Sequence, residues 1–165
     1  MTKLKKFDEL VSVWTMFLFQ DSSIPLGLSI LATFFKNIKL PETTFSLSML
    51  VDTLTGFIFE KHSITDNLQF YSLLSCLLKQ NVELFLYHPS SHIFLKFLIE
   101  RSTPSKLLNV KVSMSSNLSL YSLHKIIKNP EGSAQILSLG KETQAQLLLN
   151  INQHFKHLAA SNYKV

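Results

Sequence analysis

Glycine, cysteine, arginine and acidic residues are all scarce in this chain of 165 residues, and each shortage removes a class of function. The four glycines, Gly27, Gly56, Gly132 and Gly140, stand alone, so no glycine-rich loop cradles a phosphate and no Gly-x-Ser-x-Gly elbow presents a nucleophile. Cys76 is the sole cysteine, so an internal disulfide is impossible and a reducing, intracellular compartment (cytoplasmic or nuclear) is expected. It lies in SLLSCLLKQ, where burial between Leu73, Leu74 and Leu77 is expected rather than a reactive thiolate. Long apolar runs are missing as well. Leu10–Phe19 and Ile24–Phe35 both fall short of the roughly 20 residues that cross a bilayer. The opening MTKLKKFDELVSVWTMFLF imitates a signal peptide, but Asp8 and Glu9 interrupt it and no small-residue cleavage site follows. No membrane association is expected.

Polar clusters that would carry chemistry are equally thin. Asp8 and Glu9 are neighbours, and adjacent helical residues point in different directions, so they form no acid–base pair. Their expected role is to face the positive end of the first helix dipole. His88 and His92 have i, i+4 spacing, but Pro89 divides them; His154 and His157 share a helical face without a nearby Cys, Asp or Glu. Neither a metal nor a cofactor is expected, and no residue set points to an enzyme.

What the chain does have is grease. Apolar residues make up 46% and charged residues 16%, against roughly 25% charged in typical soluble domains. Such a chain has ample apolar surface to offset chain entropy, which excludes disorder. It is also expected to leave an apolar patch for another protein or a second copy to cover. Charge and aromatics are unevenly spread. Residues 1–100 hold eight lysines against nine acids, a net −1, and twelve of the thirteen phenylalanines. Residues 101–165 hold eight bases against Glu131 and Glu142, a net +6.

Strand-like alternation is limited to Val110-Lys111-Val112, whereas helical periodicity is pervasive. Leu47, Leu50, Val51, Leu54, Phe57 and Ile58 form one apolar stripe; Leu148, Ile151, Phe155, Leu158 and Ala159 form another. Punctuation by proline, glycine and capping residues predicts helices near 7–20, 24–37, 42–60, 65–79, 81–87, 91–101, 116–128 and 141–160, with a short turn of helix at 133–139. Ser63-Ile64-Thr65-Asp66 has the form of an N-terminal cap, and Gly140 that of a helix end. A single all-α domain, 1–165, is expected. It divides into an aromatic-rich body 1–101, a loop 102–116 and basic C-terminal helices 117–165.

A four-residue form recurs: Phe34-Phe35-Lys36-Asn37, Leu77-Leu78-Lys79-Gln80 and Ile126-Ile127-Lys128-Asn129. Intervals of about 40–47 residues characterise stacked helical repeats, and these fall close to that range. The segment Asn129-Pro130-Glu131-Gly132-Ser133-Ala134-Gln135-Ile136-Leu137-Ser138-Leu139-Gly140 resembles the start of an armadillo repeat, with Ile136 and Leu137 as its apolar pair and Leu148-Leu149 as the second helix's terminal leucines. Leu120–Ile126 resembles the end of the preceding repeat. The likeness spans about 40 residues and departs at Glu142, where that family is apolar. It implies a short right-handed α-solenoid of the armadillo or HEAT type; periodicity alone allows an irregular multi-helix bundle.

The resemblance further implies a protein-interaction scaffold or complex subunit. In the positions where armadillo grooves carry tryptophan and asparagine, this chain has Tyr121 and Lys125. Tyr121, Lys125 and Lys128 lie on one helical face and are the expected partner-binding residues, suited to an acidic segment. Lys106, Lys111, Lys141 and Lys156 add a possible basic patch. Nucleic-acid binding is the alternative, weakened because Arg101 is the only arginine and no aromatics interleave with the lysines.

Overall fold

The structure, a computed structural model, describes residues 3–39, 45–104 and 110–162. Among the described residues every regular element is helical: α1 (Lys3–Met16), α2 (Ile24–Asn37), α3 (Phe45–Phe59), α4 (Leu68–Gln80), α5 (Glu83–Leu86), α6 (Ser91–Arg101), α7 (Val110–Ile127), α8 (Pro130–Ser138) and α9 (Lys141–Asn162). Short 3-10 turns cover Phe17–Phe19, Asp21–Ser23 and Ser63–Asp66. The all-α expectation holds, and α2 and α6 have the predicted bounds.

Local chemistry explains several helix ends. Pro25 sits in the first turn of α2, where a missing amide hydrogen costs nothing. Asn129 caps α8, its side-chain oxygen accepting from the amides of Glu131 and Gly132. The predicted cap at Ser63–Asp66 is corrected. Those residues form a 3-10 turn capped by His62, and Asn67 caps α4 by accepting from the Gln69 amide. Asp8 is also reassigned, because α1 begins at Lys3 and Asp8 lies past its first turn. It instead accepts from the Ser46 amide at 3.2 Å and from the Ser46 hydroxyl, tying α1 to α3.

The helices form two files. In one, α1 packs on α3, α3 on α6 and α6 on α9; in the other, α2 packs on α4 and α4 on α7. Cross-contacts of α1 with α2 and of α6 with α7 join them. The recurrent apolar-apolar-Lys-carboxamide form falls at the C-terminal ends of α2, α4 and α7, all in the second file. The form has a mechanical use there: Gln80 donates to the carbonyls of Phe35 and Ile38, tying the end of α4 to the end of α2.

The core is made by leucine and phenylalanine at helical spacing. Leu47, Leu50, Val51, Leu54, Phe57 and Ile58 are all buried, as the α3 stripe predicts. Phe85 stacks on Phe94 at 4.5 Å and Tyr71 on Phe97 at 6.0 Å, adding ring contacts to burial. Cys76 is corrected from core to half-buried; it borders a shallow hollow shared with Lys36 and Lys79. Burial pushes its thiol pKa up, while the two ammonium groups pull it down.

The predicted loop 102–116 is also corrected, because α7 begins at Val110; residues 105–109 of that loop lie outside the described residues. Only 110–115 depart from the predicted helix 116–128. Ser116, Ser119 and Ser122 recur every third residue and are buried, and their small side chains suit the close packing of α7. No single described helix is long and apolar enough to cross a membrane. Leu4–Phe19 and Asp21–Asn37 reach that length only together, bent by 117°.

Candidate functional site: a groove between α7 and α9

The largest departure from sequence expectation lies on α9. The stripe Leu148, Phe155 and Leu158 would normally face the core, yet these residues are 68%, 67% and 60% exposed. Ala159 is exposed too, and only Ile151 of the stripe is packed against the core. The face turned inward carries Leu147, Asn150, Ile151 and His154. Their spacing of three, one and three residues is helical, but two polar residues disguise it.

Asn150 and His154 were missed by sequence reasoning, and they explain the orientation of α9. Asn150 is completely buried. Its amide group donates to the Ile99 carbonyl at 2.7 Å and the Ser102 hydroxyl at 3.0 Å, while its oxygen accepts from Gln146 and Thr103. The Nε2–H of His154 donates to the Ser102 carbonyl at 2.8 Å, with the Ser116 hydroxyl 3.2 Å away. These carbonyls belong to the end of α6, where donors within the helix run out and that of Ile99 has only the Ser102 amide and hydroxyl nearby. Satisfying them fastens α9 to α6 and turns its leucine stripe outward.

A groove of about 410 Å³ results between α7 and α9. Leu120, Tyr121, His124 and Ile127 line it from α7; Leu147, Ile151, Phe155 and Leu158 line it from α9. Leu123 and Leu147 are buried at its base.

Positive charge borders this apolar surface. The Lys125 ammonium lies 5.3 Å from the centroid of the Tyr121 ring, a cation–π contact that leaves the ring edge in the groove. Lys128 lies just past the end of α7 and is exposed. No ion pair is recorded for either lysine among the described residues. Lys141 and Lys156 are exposed on α9. Lys106 lies outside the described residues, as does the side chain of Lys111. The structure therefore brings Tyr121 and Lys125 together on the groove and leaves Lys141 and Lys156 about 22 Å apart along α9 at helical rise.

Other polar groups form structural pairs. His88 Nε2 meets Asp52 at 2.7 Å, and Arg101 meets Asp66 at 2.5 Å. Among the described residues no group of three or more His, Cys, Asp or Glu is placed to hold a metal. No family pattern, curated protein or solved structure matches this chain. The groove's own chemistry must carry the functional argument.

Proposed function

We propose that this chain is a non-enzymatic protein-interaction module, a complex subunit built on a short stack of helix pairs in the armadillo and HEAT manner. Two features support the scaffold. Helices succeed one another in two files, and the recurrent four-residue form ends each helix of the second file. The observation that carries the function is the α7–α9 groove: apolar walls, two large side chains mostly exposed (Phe155 and Leu158), and a lysine, Lys125, beside it with no ion pair among the described residues. Exposed apolar surface of this kind costs free energy until a partner covers it, at about 25 cal/mol per Å².

A nucleic-acid reading has less support. The C-terminal helices carry no arginine, and Lys141 and Lys156 are too far apart to grip neighbouring phosphates with Lys125.

Purification of the full chain from its native source tests the reading. A stoichiometric protein partner should accompany the wild type and be lost from Phe155→Glu, with the thermal midpoint of the variant unchanged. Absence of any stoichiometric partner, or its retention by Phe155→Glu, would reject the groove as the interface.

A further inference from the structure

We infer that the groove's occupant is an amphipathic α-helix of a partner protein whose solvent-facing side is acidic, seated beside α7 as the next member of the second file. The inference rests on the interaction reading and specifies the shape and charge of what binds.

The shape follows from the pairing of helices. In the first file α1 is partnered by α2 and α6 by α7, whereas α9 packs chiefly on α6. The place beside α7 and against α9 is the groove itself. Its walls present side chains at helical intervals: Leu120, His124 and Ile127 on one side, Ile151, Phe155 and Leu158 on the other. Leu147–Leu158 spans about 16 Å at 1.5 Å per residue, the length of three helical turns. An extended peptide gains its affinity from a sheet edge, and among the described residues there is no strand to offer one. A helix satisfies its own backbone and asks the groove only for apolar contact. Ridges of leucine at i, i+3, i+4 and i+7 would enter between the α7 and α9 side chains.

The sign of charge follows from the lysines beside the groove. Lys125 lies against the lining Tyr121 ring, exposed Lys128 directly follows the lining Ile127 in sequence, and exposed Lys156 directly follows the lining Phe155. The two acids of the C-terminal third, Glu131 and Glu142, lie in the first turns of α8 and α9, and neither lines the groove. A second copy of this chain is a poorer match. Apart from α9 itself, the helix with the most exposed apolar side chains is α1, with Leu10, Val13 and Met16 open to solvent, and the exposed lysines at its positions 5 and 6 outnumber the exposed Glu9. Cation would meet cation.

Fluorescein-labelled model peptides about 18 residues long provide the probe, with leucines at i, i+3, i+4 and i+7 and glutamates elsewhere. One control replaces every glutamate by lysine, and another places proline at the centre to break the helix. Fluorescence anisotropy with the full-length chain should show the glutamate peptide binding about tenfold or more tighter than either control. Its affinity should fall by about tenfold in Phe155→Glu and in Lys125→Glu, and its helical circular dichroism should rise on binding. Both variants change solvent-facing groups, and unaltered thermal midpoints will confirm that they fold. Equal binding of the lysine peptide removes the acidic assignment, and equal binding of the proline peptide removes the helical one. Should the natural partner depend on Phe155 while no glutamate peptide binds, the helix inference fails and the interaction module stands. Should the sedimentation coefficient show groove-dependent self-association that the glutamate peptide does not displace, a second copy is the occupant and the inference is overturned.

Discussion

Among the described residues the buried hydroxyl of Tyr71 has no hydrogen-bond partner, while its ring stacks on Phe97. Burial pushes its pKa up to about 12, with the Arg101 charge opposing the rise. A native pKa above the ordinary 10.0 makes stability complete below pH 10 and lost progressively as pH climbs toward 12. Tyr71→Phe should therefore gain about 1 kcal/mol at neutral pH, since no bond is lost and an orphaned polar group goes. It should also flatten the decline between pH 10 and 12; urea titrations at both ends of that range measure the two effects. Asn150 is the opposite case. Asn150→Leu removes the bonds to the Ile99 carbonyl and the Ser102 hydroxyl, which keep their own 2.8 Å bond to each other, and should cost about 0.5–1.5 kcal/mol for each bond lost. Phe155→Ala, at an exposed position, should change stability by less than about 0.5 kcal/mol. Equal losses in the two variants would mean that the inward and outward faces of α9 are misassigned. Sequence reading singles out Tyr121 and Lys125 through the armadillo-like positions they occupy. It passed over Asn150 because a carboxamide among leucines looks like a break in an apolar stripe rather than its centre.

Among the elements, α8 has the most exacting junction. Gly132 lies against the preceding helix so closely that a β-carbon there would fall on the Ile126 carbonyl. Gly132→Ala should thus destabilise by about 1–3 kcal/mol through overpacking, although alanine is the better helix former by about 1 kcal/mol. Asn129→Ala removes the cap of the same helix and should cost about 1 kcal/mol. Thermal denaturation separates these from Gly140→Ala, where an added β-carbon meets nothing and the change should be small. The strongly periodic helices were legible because their residues are either apolar and buried or polar and exposed. The α3 stripe is the clearest instance. That equivalence fails on α7, where Ser116, Ser119 and Ser122 are polar yet buried for their small size. It fails again on α9, whose apolar stripe faces solvent and whose Asn150 does not. Both failures lie in the two helices that make the groove.

At the scale of the whole molecule, burial is concentrated in the middle of the chain. α3, α4 and α6 contribute most of the buried leucines and phenylalanines, whereas α8 and α9 contribute only Ile136 and Leu147 to the buried apolar core. Native-state hydrogen exchange should reflect this gradient. Amides of Phe70–Leu78 should exchange last, and those of α9 beyond His154 much earlier, with protection rising once a partner is seated. Uniform protection across α4 and α9 would contradict it. The bonds from Asn150 and His154 to the end of α6 have one more consequence. They act as a pivot near the middle of α9, leaving the last two turns as a lever about 12 Å long. A tilt of only about 5° at that pivot moves the tip by about 1 Å, a distance that separates a leucine-sized opening from one that admits a larger side chain. The mouth of the groove near Leu158 is therefore adjustable, while its inner end at Leu147, on the other side of the pivot, keeps its calibre.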